Sequence, residues 1–83
     1  MFINKTKNGR NNFCGTKITK FRHDNNLSQR EFANRLQLIG MDVDKNAIQR
    51  MESGQRFITD IEIVFLCKVM NLNFNEIFDF DNV

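Results

Sequence analysis

The 83-residue chain has no proline, tryptophan or tyrosine, and it has one histidine, two cysteines and four glycines. These shortages exclude much chemistry. A metal site built from histidine and cysteine takes three or four ligands, and His23, Cys14 and Cys67 are the only such side chains. The cysteines stand 53 positions apart. That is too few for a disulfide scaffold and the wrong spacing for zinc, so a reduced, cytoplasmic protein is expected. A nucleophilic triad would rest wholly on His23. Gly9, Gly15, Gly40 and Gly54 build no phosphate-cradling loop. The expectation is a protein that is not an enzyme, with no catalytic residue, metal, cofactor or small-molecule substrate. No apolar run approaches the ~18 residues of a membrane span. The opening residues Met1-Phe2-Ile3-Asn4-Lys5 lack the apolar core of a signal peptide. At this length one domain is expected, burying about 60% of the surface its unfolded chain exposes.

Acidic residues are missing from the first 23 positions, which hold six bases: Lys5, Lys7, Arg10, Lys17, Lys20 and Arg22. Residues 24–59 balance five acids against five bases, and residues 60–83 carry five acids against Lys68 alone. The overall charge of +2 hides this gradient. A basic half suits a polyanion and an acidic half suits a surface kept away from it, although a short chain can also be lopsided by chance.

Residues 1–12 are polar, Asn-rich and basic, with a turn-favouring Asn8-Gly9, and they are expected to form a flexible arm. Residues 13–83 are expected to form the folded domain. Helical periodicity starts near Cys14, with Ile18 and Phe21 on one stripe, and Asn25-Asn26 ends it. Ser28-Gln29-Arg30-Glu31 is a capping box with Leu27 placed as a staple, opening a helix whose buried stripe is Phe32, Ala33 and Leu36. Asp44 is the favoured cap for a third helix, in which Ala47, Ile48 and Met51 face inward and Gly54 closes the end. Thr59-Asp60-Ile61-Glu62 is a second capping box, followed by Ile63, Leu66, Cys67 and Met70 on the inner face and a stop at Asn71. A short fifth helix starts at Asn73 or Asn75 and carries Phe74, Ile77 and Phe78. The expected fold is an all-α, compact bundle of five short helices. Phe21, Phe32, Phe74 and Phe78 fit its core, whereas Phe57, Phe65 and Phe80 are hard to bury.

Leu27-Ser28-Gln29-Arg30-Glu31-Phe32-Ala33, then Ile48-Gln49-Arg50-Met51-Glu52-Ser53-Gly54-Gln55-Arg56, and then Leu66-Cys67-Lys68-Val69-Met70-Asn71-Leu72 resemble the phage repressor and Cro helix-turn-helix proteins, the XRE family. The resemblance covers roughly residues 14–79. It implies a lambda-repressor-like DNA-binding domain in which the second and third helices form the DNA-binding unit and the third lies in the major groove. One departure stands out. Fifteen positions separate Ala33 from Ile48, more than the family usually has, and the extra segment holds the apolar residues Leu38, Ile39, Met41 and Val43. A solvated loop does not normally use such residues. A second helix lengthened by about a turn is expected, closed by Gly40, with the apolar residues packed back on the core.

The outer face of the third helix carries the side chains suited to base reading. Asn46 and Gln49 match adenine, and Lys45 or Arg50 can read guanine or hold phosphate. A charged helix face can also be a merely solvated one. The resemblance implies phosphate contacts at the start of the second helix, where Ser28, Gln29 and Arg30 stand with free amides, and in the loop at Ser53, Gln55 and Arg56. Arg22 either reaches phosphate or pairs with a carboxylate, Glu52 being the partner in reach. Lys5, Lys7 and Arg10 either add phosphate or minor-groove contacts or solubilise a tail. Cys14, at a helix start, is a position where a thiol pKa can fall.

The expected function is sequence-specific binding of double-stranded DNA, most simply as a transcriptional repressor acting by operator occupancy. The surplus phenylalanines suit a homodimer through the fourth and fifth helices, since the family often binds two-fold operators. The competing reading keeps the fold but makes a protein the main partner, as in an interaction module or an XRE-like antitoxin.

Overall fold

The computed structural model describes residues 4–78 and 80–82. Five helices follow in order: α1 (Cys14–Asp24), α2 (Gln29–Leu38), α3 (Lys45–Glu52), α4 (Asp60–Met70) and α5 (Phe74–Ile77). No strand occurs among the described residues. The expected all-α bundle is therefore present. α3 packs against both α1 and α2, and α4 lies across α1 and α2.

Short polar side chains start the helices. Ser28, Thr59 and Asn73 each accept the amide three residues on, from Glu31, Glu62 and Glu76, whose carboxylates return to the cap amide. Asp44 accepts from the Ala47 amide at 2.9 Å. Each cap satisfies donors that the helix cannot satisfy itself. α1 starts differently. Phe13 offers no capping side chain, and Asn12 Oδ1 accepts the Gly15 amide instead, at 2.9 Å.

α1 to α4 end on one device. Asn26, Gly40, Gly54 and Asn71 take positive φ. The amide just beyond each then returns to a carbonyl five residues back: Leu27 to Arg22, Met41 to Leu36, Gln55 to Arg50, Leu72 to Cys67. This closes the last turn and satisfies otherwise stranded carbonyls.

The core is built from Ile18, Phe32, Leu36, Ile48, Met51, Leu66 and Ile77, all fully buried, with Cys14, Ala33, Met41, Val43, Ala47 and Met70 around them. Phe21 meets Phe32 edge-on, centroids 5.9 Å apart. Two expectations need correction. Of the four apolar residues from the end of α2 through the α2–α3 connection, only Met41 and Val43 pack inward; Leu38, the last residue of α2, is 86% exposed and Ile39 is also open. α2 itself runs to Leu38 and is closed by Gly40 at φ +104°, as expected. Phe74, read as core, is 54% exposed. It stacks on Phe78 at 6.4 Å, and Phe78 in turn meets Phe13 and Phe80. Phe57 and Phe80 are exposed, as their sequence setting implied, while Phe65 packs half-buried on the core.

Residues 4–12 also depart from the expectation of a flexible arm; residues 1–3 lie outside the described residues. Thr6 and Asn12 are buried, and the segment lies along the end of α3 through hydrogen bonds from Arg10, Asn11 and Asn12. α1 approaches the same place closely. A Cβ on Gly15 would overlap the Met51 carbonyl and the Arg10 guanidinium.

Two substitutions test this packing. Gly15→Ala should cost roughly 1–3 kcal/mol through overpacking. Ser28→Ala should cost about 1 kcal/mol through the lost cap. Thermal melts resolve both, since about 1 kcal/mol moves Tm by roughly 4–8 °C in a domain of this size. An unchanged melt for Gly15→Ala would show α1 standing further from α3.

Candidate nucleic-acid interface

α3 divides cleanly along its length. Ala47, Ile48 and Met51 are buried, while Lys45, Asn46, Gln49, Arg50 and Ser53 are all exposed. The 3.6-residue period puts the exposed set on one outer face. Among the described residues, neither Lys45 nor Arg50 takes part in an ion pair. Ser53 Oγ donates to the Arg50 carbonyl at 3.1 Å, so this hydroxyl closes the helix end locally.

α2 adds to this face. Arg30, Asn34 and Gln37 line a groove with Asp44, Lys45 and Asn46. Asn34 joins this face in addition to the residues expected from the sequence. It lies one turn after Arg30, on the side of α2 away from the buried Phe32. Among the described residues, Asp44 is the only acid in the groove lining, and its carboxylate is committed to the Ala47 amide.

Three of the residues expected at phosphate have inward partners. Arg22 Nε and Nη2 donate to both Glu52 carboxylate oxygens at 2.6 and 2.9 Å. With 13% and 10% of these side chains exposed, the pair is largely buried. The choice left open for Arg22 therefore falls to Glu52. Arg22 Nη1 also donates to the Leu27 carbonyl at 3.0 Å. Gln29 Nε2 donates to Glu52 Oε1 at 2.9 Å. Arg56 grips the Glu62 carboxylate at 3.0 and 2.8 Å. Arg30 and Gln55 are exposed, as is Ser28, whose hydroxyl accepts the Glu31 amide.

One carboxylate thus ties three helices together: Glu52 on α3 holds Arg22 from α1 and Gln29 from α2. Burial works against its charge, but the hydrogen bonds from Arg22 and Gln29 and the Arg22 charge outweigh it, and the Glu52 pKa lies below its ordinary 4.5. Glu62 is also lowered, first by the hydrogen bonds from Arg56, against a smaller opposing effect of burial. Cys14 goes the other way. Burial, aided by Cys67, pushes its thiol up to about 11, so desolvation outweighs the helix N-terminus and the thiolate is disfavoured. No group of three or more His, Cys, Asp or Glu able to hold a metal exists among the described residues. No described helix is long and apolar enough to cross a membrane.

The lowered carboxylates fix the sign of the acid response. A depressed pKa contributes stability that is fully present above the ordinary value and is lost as pH falls through the folded value. Tm should therefore fall as pH drops below about 4.5. Glu52→Gln should flatten that fall and, at neutral pH, cost about 3–5 kcal/mol by leaving Arg22 unpaired. Glu62→Gln should cost less, since its pair with Arg56 is more exposed. Melts from pH 7 to pH 2.5 check both; an unaltered acid limb in Glu52→Gln would contradict the assignment.

Comparison with models of protein families, with curated proteins and with solved structures yields no match to this chain.

Proposed function

We propose that the protein binds double-stranded DNA in a sequence-specific way and represses transcription in the cytoplasm by occupying an operator. The observation that carries this reading is the outer face of α3, where Lys45, Asn46, Gln49 and Arg50 are exposed together on a helix whose inner face is locked to α1 and α2. A base-reading helix needs both properties. Its polar groups must be free, and its axis must be fixed, because bidentate contacts to base edges tolerate little displacement. The resemblance of residues 27–33 and 48–56 to phage repressors supports the same reading, with α2–α3 as a helix-turn-helix unit in a lambda-repressor-like domain. Arg30 and the first-turn amides of α2, with Ser28 and Gln55, would hold phosphate on either side.

A homodimer through α4 and α5 fits the same proposal. Ile61, Val64 and Phe74 are exposed along a groove shared by these helices, and α4 is apolar on nearly every side, as helices covered by a partner are. The same observation supports the second reading, a module whose main partner is another protein.

Selection of bound sequences from a random duplex pool tests the proposal. A recovered motif is expected, two-fold and spaced by about one helical turn (roughly 34–36 Å) if the dimer forms. Its affinity should fall about 10³–10⁵-fold from about 50 to 200 mM salt if about 6–10 phosphates are neutralised. Gln49→Ala should cost about 1–3 kcal/mol on the selected site and little on random DNA. Failure to enrich any motif would favour the protein partner.

A further inference from the structure

We propose that residues 6–12 clamp the C-terminal end of α3, and that Arg10 is a positioning residue for base reading and not a DNA contact. The DNA part of this inference rests on the function proposed above; the clamp rests on geometry alone.

Three consecutive side chains and one amide take up nearly every carbonyl where α3 ends. Arg10 Nη2 donates to the Met51 and Glu52 carbonyls at 3.1 and 2.8 Å. Asn12 Nδ2 donates to the Met51 and Arg56 carbonyls at 3.1 and 2.8 Å. The Asn11 amide donates to the Gly54 carbonyl at 2.8 Å, and its Nδ2 donates to the Gln55 carbonyl at 2.9 Å. From Met51 to Arg56, only the Ser53 carbonyl is passed over. The Arg10 cation therefore sits at the negative end of the helix, where a positive charge is favoured.

The segment is shaped for this role. Thr6 and Arg10 exchange backbone and hydroxyl hydrogen bonds at 3.0 Å, closing a loop over residues 6–10 in which Gly9 takes φ +81°. The C-terminal side holds that loop from behind: the Lys7 amide donates to the Asn82 carbonyl at 2.9 Å, and Asn82 Nδ2 donates to Asn8 Oδ1 at 3.1 Å. The fit is tight. A Cβ on Gly54 would stand 2.9–3.0 Å from the Arg10 side chain.

α3 needs such an anchor. It is eight residues long, well below the ~12–15 at which an isolated helix is even marginal. Gln49 and Arg50 lie in its final turn, next to the clamped carbonyls. If that turn frays, the proposed base readers lose their position before the rest of the fold loosens.

The test compares Arg10→Gln and Arg10→Lys with the parent chain, on the selected operator and on a random-sequence duplex, across a salt series. Amide hydrogen exchange is measured without DNA. Arg10→Gln should weaken operator binding about 5- to 150-fold, the worth of one lost base contact. It should leave random-duplex binding and the salt slope unchanged. Exchange should quicken from Gln49 to Arg56 while α2 and α4 keep their protection. Arg10→Lys, which keeps the charge and can reach one carbonyl, should recover part of both losses. Equal weakening on both duplexes, with a salt slope lower by about 0.9 per lost contact, would make Arg10 a phosphate contact and overturn the proposal. Exchange quickened equally in every helix would overturn the clamp. If Arg10→Gln fails to fold, Asn11→Ala removes only the Gln55 contact made by that side chain, and the same local pattern of exchange is expected. A parent chain with no preferred duplex would overturn the DNA reading and the positioning role with it, and the exchange pattern would then decide the clamp by itself.

Discussion

The end of α3 is where the fold is decided. Over residues 51–56, the Glu52 carboxylate holds Arg22 of α1 and Gln29 of α2, the neighbouring carbonyls accept from Arg10, Asn11 and Asn12, and Gly54 turns the chain through a positive φ. A largely buried ion pair is weak evidence for stability, because desolvation offsets most of its attraction. Its better attested use is to specify one arrangement out of several. Apolar packing of Ile48 and Met51 would tolerate α3 sliding or rotating by some amount. A bidentate guanidinium–carboxylate pair would not, because its geometry is directional.

Much of this was legible in the sequence because local chemistry settles it. Ser28, Asp44 and Thr59 announce helix starts through side-chain acceptors that act within three residues, and Gly54 and Asn71 announce ends through backbone conformations that few residues adopt. The inner stripe of each helix follows from its period. What was not legible depended on distance. Arg22 could reach either a phosphate or Glu52, thirty positions away, and only tertiary packing decides between them. Residues 4–12 read as an arm because they lack an apolar stripe. Their order comes instead from Asn and Arg side chains satisfying carbonyls some forty residues later, a pattern that periodicity cannot reveal. Leu38, Ile39 and Phe74 differ from expectation for the opposite reason: an apolar side chain announces a preference for burial, but the turn at Gly40 and the shortness of α5 leave these three outside.

The charge gradient also changes meaning once the chain is folded. Of the six bases in the first 23 residues, Arg10 and Arg22 face inward onto α3, and Lys20 pairs with Asp24 on the surface at 3.0 Å. The basic N-terminal segment thus serves folding first, and the count of positive charges overstates what is free for a polyanion. The proposed recognition charge sits instead on Arg30, Lys45 and Arg50, which the net balance of residues 24–59 conceals. The position of a charge relative to the helix ends, and not the regional sum, separates these uses.

The long connection between α2 and α3 would be expected to loosen the second helix of the pair, since each added residue adds conformational freedom. The structure offsets that freedom at both ends. Met41 and Val43 bury themselves in the core, Gln37 Nε2 holds the Val43 carbonyl at 2.6 Å, and Asp44 caps the first turn of α3. Arg10 and Asn12, with Glu52, hold its last. An eight-residue helix held at both ends in this way is fixed to the domain by its termini as well as by its inner face. The length of the connection therefore does not by itself cost the proposed reading face the fixed position that bidentate base contacts require.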